Sequence, residues 1–143
     1  MSIRRTWILA AVGMMMLPAG SAMADKMSYG AELKGTSEVP PASSTATGSV
    51  TMTFDTVSKQ LEWKGSYSGL SGDATAAHVH GPAEVGTNAG VAIAIPSFKS
   101  PFTGTAALSD AQAADLTMGR LYVNVHTAKF PDGEVRGQIL KNK

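Results

Sequence analysis

Apolar and polar residues alternate in short stretches along most of the chain, and glycine, proline and other turn residues separate these stretches. Between residues 48 and 54, Val50, Met52 and Phe54 share one face while threonines occupy the other. Such alternation is typical of a strand with one buried face. Similar stretches occupy residues 29–33, 61–67, 74–80, 91–95, 121–127 and 135–139. Their length and spacing predict an all-β fold, an antiparallel Greek-key-like sandwich or barrel, with a hairpin between the stretches at 48–54 and 61–67.

One window departs from this alternation and favours a helix. Ser109 is a suitable N-cap residue, and Gln112, three positions later, completes a capping box. Several alanines and a leucine follow, and Gly119 supplies a C-terminal stop. The sequence therefore predicts a single short helix over residues 109–118.

The last two predicted strands combine an apolar face with a chemically rich polar face. The apolar face, which we expect to be buried, holds Val123, Val125 and Ile139. The polar face holds Tyr122, Asn124 and His126 on one strand and Glu134, Arg136 and Gln138 on the other. Matching the two apolar faces places His126 opposite either Glu134 or Arg136, depending on the register.

The first 24 residues have the composition of a secretory signal peptide. Arg4 and Arg5 form a basic region, residues 7–17 form an apolar region, and the sequence Ala22-Met23-Ala24 fits a cleavage site. We therefore expect a mature chain that starts at Asp25 and forms one domain over residues 25–143. This chain would be periplasmic or secreted and would have no membrane span.

Charge and cysteine content narrow the classes of function. Without Arg4 and Arg5 the chain has ten basic and eleven acidic side chains, which gives no basic patch for nucleic acid. The chain has no cysteine, so disulfides and thiolate chemistry are excluded. The stretch 65–69 is similar to a nucleophile elbow but has tyrosine at its centre instead of serine. An enzyme is therefore not expected unless a metal ion supplies the chemistry.

All three histidines lie in two of the predicted strands. His78 and His80 are alternate residues and share a face, and His126 lies near the end of another strand. Neighbouring strands lie about 4.8 Å apart, so pairing of these two strands would bring the three imidazoles to one ion. Neutral imidazole suits copper, zinc and nickel, and the Irving–Williams order favours copper, with zinc as the second choice. Residues that could orient these ligands are Asn124, Glu134, Arg136 and Glu84.

The same residues also allow a metal-free interpretation. In it, His78 and His80 hydrogen-bond to the loop after Gly81, and His126 pairs with Glu134. Glu134 and Arg136 equally fit cross-strand pairs that hold the last hairpin together. The domain would then be an interaction module that binds a protein or an envelope component through loops at one end of the sandwich. Convergence of the three imidazoles on one point distinguishes the two interpretations.

Four motifs resemble those of one known family. They occupy residues 31–41 (AELKGTSEVPP), 77–83 (AHVHGPA), 119–127 (GRLYVNVHT) and 133–139 (GEVRGQI). In this order they resemble the CHRD domain, which is named for its occurrence in chordin and is found alone in many bacterial exported proteins. The resemblance covers essentially the whole mature chain and implies an all-β domain outside the cytoplasm. It implies little about activity, although chordin itself acts by binding growth factors.

A more distant similarity links the histidine strands to the copper side of Cu/Zn superoxide dismutase. That enzyme, like the immunoglobulin domain, is a Greek-key sandwich, and we expect this general type of fold. The similarity covers His78, His80 and His126 only. The bridging histidine of the enzyme has no counterpart, because the chain has no fourth histidine. The similarity therefore implies a copper-like arrangement of ligands but not dismutase activity.

Overall fold

Nine antiparallel strands form one continuous, nearly closed sheet in the computed structural model, which describes residues 25–143. The strands are β1 (Lys26–Lys34), β2 (Thr47–Asp55), β3 (Gln60–Ser68), β4 (Ala74–His80), β5 (Val91–Ala94), β6 (Phe102–Ala107), β7 (Tyr122–Thr127), β8 (Val135–Gln138) and β9 (Leu140–Lys141). Their order in the sheet is β5-β4-β7-β8-β1-β2-β3-β6, and β9 pairs with β1. The predicted all-β fold is confirmed. The predicted signal peptide lies outside the described residues.

The predicted short helix is also confirmed, as α1 (Asp110–Thr117). The Ser109 side chain accepts a hydrogen bond from the Gln112 backbone N–H, and the Gln112 side chain accepts one from Ser109 in return. The amide Nε2 of Gln112 also donates to the carbonyl oxygen of Ala92 in β5, at 2.9 Å. Strands β5 and β6 are the two edges of the sheet, and α1 follows β6 in the chain. This bond therefore connects the edge strand β5 to the helix that follows the other edge strand. Among the described residues, no helix is long and apolar enough to cross a membrane.

The predicted hairpin is formed by β2 and β3, with Met52 opposite Trp63. Strand β6, which pairs with β3, was not predicted from the sequence. Its inward-facing position opposite Trp63 is Gly104, and a Cβ atom there would collide with the Trp63 indole. The close approach of the indole therefore requires glycine at that position. Because this inward-facing position is glycine instead of an apolar residue, the alternation that would predict a strand is interrupted here.

The core lies inside the curved sheet, and Val123, Val125 and Ile139 are completely buried in it, as the apolar alternation predicts. Strand β7 is buried on both faces, because two connections cover its polar face. The first connection is the loop 81–90 between β4 and β5, and the second is the turn 128–134 between β7 and β8. The polar side chains of β7 therefore lie beneath these two loops, where solvent access is restricted.

Candidate metal centre

Strands β4 and β7 are direct neighbours, and their pairing brings the three histidines together. His78 lies opposite Asn124, and His80 lies opposite Tyr122, while His126 lies two residues beyond Asn124 on β7. The imidazole nitrogens available as ligands all lie within 4.8 Å of one another. Nitrogens bound to one ion at about 2.0 Å are separated by roughly 3–4 Å. Small side-chain movements would therefore suffice to bring all three to a common ion.

Two of these imidazoles are held by backbone carbonyl groups. The Nδ1 atom of His80 lies 3.0 Å from the carbonyl oxygen of Ala89, and the Nδ1 atom of His126 lies 2.9 Å from that of Pro131. A carbonyl oxygen only accepts hydrogen bonds, so both Nδ1 atoms carry the proton. The Nε2 atoms of both rings are therefore unprotonated, and each has a lone pair directed away from these carbonyl groups. An imidazole with Nδ1–H fixed on a carbonyl and Nε2 free is the usual state of a metal-binding histidine.

The third imidazole, that of His78, is linked directly to His126. Its Nδ1 atom lies 3.1 Å from Nε2 of His126. Because that Nε2 atom is the acceptor, Nδ1 of His78 donates the proton. The ring tautomer of His78 that binds a metal through Nδ1 lacks this proton. Nδ1 of His78 can therefore either carry this proton or bind an ion, but not both at once.

The surroundings favour neutral imidazoles. Burial lowers the pKa of His78, and the neighbouring His126 and His80 lower it further. Burial is also the largest influence on the pKa of His80 and lowers it, although the hydrogen bond to Ala89 and an interaction with the Asn124 side chain act in the opposite direction. Neutral imidazole is the form that binds metals, so both groups are ready to bind at neutral pH.

His80 is further positioned by Tyr122. The two rings are parallel, with an interplanar angle of 5° and 5.1 Å between centroids. The Tyr122 hydroxyl donates to the carbonyl oxygen of Ala89 and accepts from the Ala89 backbone N–H. Ala89 is the same residue that holds Nδ1 of His80. The His80 ring is therefore fixed both by its stacking partner and by the loop that this partner anchors.

Arg136, one of the predicted orienting residues, is 2% exposed and acts on the same loop. Its guanidinium lies 3.4 Å from the centre of the Tyr122 ring. Its terminal nitrogens donate to the side-chain oxygen of Asn88 at 2.8 Å and to the carbonyl oxygen of Thr87 at 2.6 Å. Arg136 therefore holds the loop 81–90 over the histidines and does not contact them through a hydrogen bond.

Asn124, also predicted to orient the ligands, lies between the histidines on the same face of the sheet. Its Nδ2 atom donates to the carbonyl oxygen of Asp132 at 3.3 Å. Its Oδ1 atom is buried and has no hydrogen-bond partner among the described residues, and the same holds for Nε2 of His80. Buried acceptors without donors are unfavourable by about 1–3 kcal/mol each. A cation or a donor between these atoms would remove that cost.

Glu134 immediately precedes β8, next to Val135, which pairs with Val125, and its side chain bonds to another part of the molecule. It is fully buried and accepts hydrogen bonds from Ser44 Oγ, from Ser71 N and Oγ, and from Thr127 Oγ1. Burial alone would raise the pKa of Glu134, but these hydrogen bonds outweigh burial and lower it. Residue 134 precedes β8 and follows Gly133, whose φ is +134°, so the alternation of the strand does not extend to it.

The expected pairing of His126 with Glu134 in the metal-free interpretation is therefore wrong. His126 bonds to Pro131 and His78 instead. The expected bond from His78 to the loop after Gly81 is also not formed, whereas that from His80 is formed, at Ala89.

Glu84 is not brought to the histidines either. It lies exposed on the loop 81–90, where its carbonyl oxygen accepts a hydrogen bond from the backbone of Thr87. The cluster of potential ligands in the described part of the chain consists of the three histidines without a carboxylate. This nitrogen-only donor set favours copper, zinc or nickel over calcium or magnesium, which prefer oxygen.

The sequence reasoning missed one buried acid close to this region, Glu38. It is 6% exposed, and burial raises its pKa to about 7. Arg136 lowers this pKa and Asp132 raises it, so the carboxyl group lies near both. The available signal was its position in the motif at 31–41, directly before an apolar residue and two prolines.

The comparisons with known proteins identify the family but no individual relative. No curated protein and no solved structure matches the chain. The likeness to Cu/Zn superoxide dismutase therefore rests on the three histidines alone. The family model of the CHRD domain matches residues 29–139, a range that includes every residue of the candidate metal centre and Glu38. CHRD domains are generally found in extracellular or secreted proteins. This chain belongs to the CHRD domain family.

Proposed function

We propose that this CHRD domain is an exported metal-binding protein that captures a transition metal, copper above zinc, through His78, His80 and His126. Its role would be metal capture or tolerance outside the cytoplasm. The observation that carries the proposal is the state of the imidazoles. Two of them have Nδ1–H fixed on a backbone carbonyl and an unprotonated Nε2, and the three histidines form a cluster of ligand nitrogens within 4.8 Å of one another.

The choice of metal follows from the donor set. Three imidazole nitrogens without a carboxylate or thiolate suit borderline ions such as Cu(II) and Zn(II). The Irving–Williams order places Cu(II) above Zn(II) for the same nitrogen ligands. Three protein ligands also leave one coordination position open for water or for a ligand on a partner protein. An exported location, which the signal-like residues 1–24 support, is an oxidising environment in which Cu(II) persists.

The metal-free interaction module is the second candidate, and one observation favours it. His80 bonds to the loop at Ala89, as that interpretation predicts. In the module, the loops 81–90 and 128–134 would contact a protein or an envelope component. Without a metal, only a protonated His80 would pair its Nε2 atom with Oδ1 of Asn124, but burial lowers the pKa of His80, so at neutral pH both atoms are buried without partners among the described residues. The metal-binding function accounts for the lone pair on His80, and we therefore prefer it.

The decisive experiment is metal analysis of the exported protein combined with thermal unfolding. Wild-type protein is compared with His80→Ala and with a triple variant in which all three histidines are alanine. A ligand at 100 times its dissociation constant stabilises the folded state by about 2.7 kcal/mol, or roughly 10 °C for a domain of this size. We expect CuSO4 to produce such a shift in the wild type, ZnCl2 a smaller one, and His80→Ala little.

The matched control is Glu84→Gln, which changes an exposed side chain on the loop above the site and should keep the full shift. Retention of the copper-induced shift by the triple variant would show that the ion binds elsewhere. Absence of any shift in the wild type would favour the interaction module.

A further inference from the structure

Glu38 is a buried carboxyl group whose place in the fold is not explained by its contacts. It follows the 3-10 turn Gly35–Ser37 and is 6% exposed. Its Oε1 atom has no hydrogen-bond partner among the described residues. Burial of a carboxyl group without a partner is unfavourable unless another interaction compensates for it.

Arg136, the cation that lowers the pKa of Glu38, does not provide this compensation in full. Burial raises the pKa of Glu38 to about 7 even though Arg136 acts to lower it. The terminal nitrogens of Arg136 donate to Asn88 and Thr87, and its guanidinium covers the ring of Tyr122. Arg136 is thus committed to the loop 81–90 and forms no ion pair with Glu38.

Asn124 connects Glu38 with the histidines. A Cβ atom on Gly133 would collide with both Oε1 of Glu38 and Nδ2 of Asn124, so these two atoms lie against the same side of that glycine. The other end of the amide, Oδ1, is buried and has no partner within residues 25–143. Asn124 lies opposite His78 in the neighbouring strand, on the face that also holds His80 and His126. One amide group therefore separates the carboxyl group from the metal ligands.

The charges of this region leave one role open for Glu38. The three ligands are neutral when they bind a metal, and Arg136 already adds a buried positive charge. Glu134 is committed to the serine and threonine hydroxyls, and Glu84 is exposed. A divalent ion in the site would add two further positive charges to a region that is partly shielded from water.

We propose that Glu38 is a positioning residue of the metal centre, whose carboxylate balances the charge of a bound divalent ion through the amide of Asn124 and makes the site prefer Cu(II) over Cu(I). This inference rests on the proposed metal-binding function. The interaction of a fixed carboxylate with an ion is proportional to the charge of the ion, so it stabilises a divalent ion twice as much as a monovalent one. Removal of the carboxylate should therefore weaken the two ions unequally.

The test compares wild-type protein, Glu38→Gln and the control Glu84→Gln at pH 7.5. Affinity is measured by chelator competition for CuSO4 in air and for the Cu(I) acetonitrile complex without oxygen. We expect Glu38→Gln to lower Cu(II) affinity about tenfold and Cu(I) affinity about threefold, the square root of that factor. Glu84→Gln removes the same charge from an exposed position and should change both affinities less than about twofold.

A second variant moves the charge instead of removing it. Asn124→Asp in the Glu38→Gln background places a carboxylate on the histidine face and should restore the preference for Cu(II). Equal losses for both ions in Glu38→Gln, or no loss, would overturn the inference while leaving the metal site intact. Absence of binding of either ion to the wild type would overturn the metal-binding function itself and this inference with it.

Discussion

The Nδ1 atom of His78 lies 3.1 Å from the Nε2 atom of His126, on the neighbouring strand of the sheet. A distance of this size is close to that between two nitrogens bound to the same ion. In the metal-free protein Nδ1 of His78 donates a hydrogen bond to Nε2 of His126, because the proton of the His126 ring is on Nδ1 and donates to Pro131. The spacing of the pair therefore suits a metal ion: Nδ1 of His78 would bind the ion once its proton moves to Nε2 of the same neutral ring, with little movement of the chain.

Copper stabilisation should depend on pH. The ligands bind as neutral imidazoles, and burial lowers the pKa of His78 and His80 below the ordinary value of 6.5. Protons therefore begin to compete with the ion only below about pH 6.5. We expect the copper-induced rise in melting temperature to be full at pH 7.5 and largely lost near pH 5. A shift that is equally large at pH 5 would contradict binding through histidine.

The metal-free protein provides the reference for this measurement. The folded state binds fewer protons than the unfolded state below pH 6.5, because the pKa of both groups is lowered by folding. Their contribution to stability is thus present above pH 6.5 and decreases as the pH falls through the lowered values. The copper effect must therefore be taken as a difference at each pH.

Glu38 should change the pH dependence of stability in the direction opposite to that of the histidines. Folding raises its pKa from 4.5 to about 7, so the folded state binds more protons between these values. Its contribution to stability is present below about pH 4.5 and is lost as the pH rises through 7. In metal-free protein, the free energy of unfolding of Glu38→Gln relative to that of the wild type should thus increase from pH 5 to pH 8, by about 1–2 kcal/mol after allowance for solvent screening. Urea unfolding at both pH values measures this, and a pH-independent difference would contradict it.

Glu134 should be a structural residue without influence on the metal. It joins the segment at Ser44, the turn at Ser71 and the end of β7 at Thr127 through its carboxylate. Glutamine would replace one acceptor oxygen by a donor that faces hydroxyl groups. We expect Glu134→Gln to lower the free energy of unfolding by about 2–3 kcal/mol.

Copper affinity of the folded Glu134→Gln variant should equal that of the wild type. Glu62→Gln, on an exposed position of β3, is the control for the loss of one carboxylate and should change stability by less than about 0.5 kcal/mol. A selective loss of copper affinity in Glu134→Gln would give Glu134 the orienting role that its contacts do not support.

Arg136 should control the order of the loop above the site. Lysine retains the positive charge but cannot bond to Thr87 and Asn88 at the same time in the planar geometry of the guanidinium. We expect Arg136→Lys to speed hydrogen exchange at the backbone N–H of Ala89, which bonds to Tyr122. Copper affinity should fall by about 10-fold or more, the usual effect of disturbing residues that orient metal ligands. Unchanged exchange at Ala89 would show that the loop is held by other contacts.

Local interactions explain the elements that were predicted correctly. The hairpin of β2 and β3 joins strands adjacent in the chain, and the capping box of α1 joins Ser109 with a residue three positions later. Patterns of this range are visible in the sequence because the residues that interact are also close along the chain. The buried face of β7 was predicted for a similar reason, since Val123 and Val125 alternate with polar residues along the strand.

The candidate site was predicted only in part, because the chain alone does not show which distant strands pair. His78 and His126 are separated by 48 positions, and their approach depends on the pairing of β4 with β7. The bend at Glu134 and the burial of Glu38 depend on loops that fold back over the sheet. Neither position has a local pattern that reveals its partners.

The sequence by itself therefore determined the all-β class, the single helix, and the two strands that carry the histidines. These properties follow from alternation and capping, which act over a few residues. The tertiary structure alone decided which nitrogen of each histidine is free, which acid lies near the site, and which acid holds loops together. Those properties depend on the sheet order and on backbone carbonyl groups of the covering loops, which approach the site only after the chain has folded.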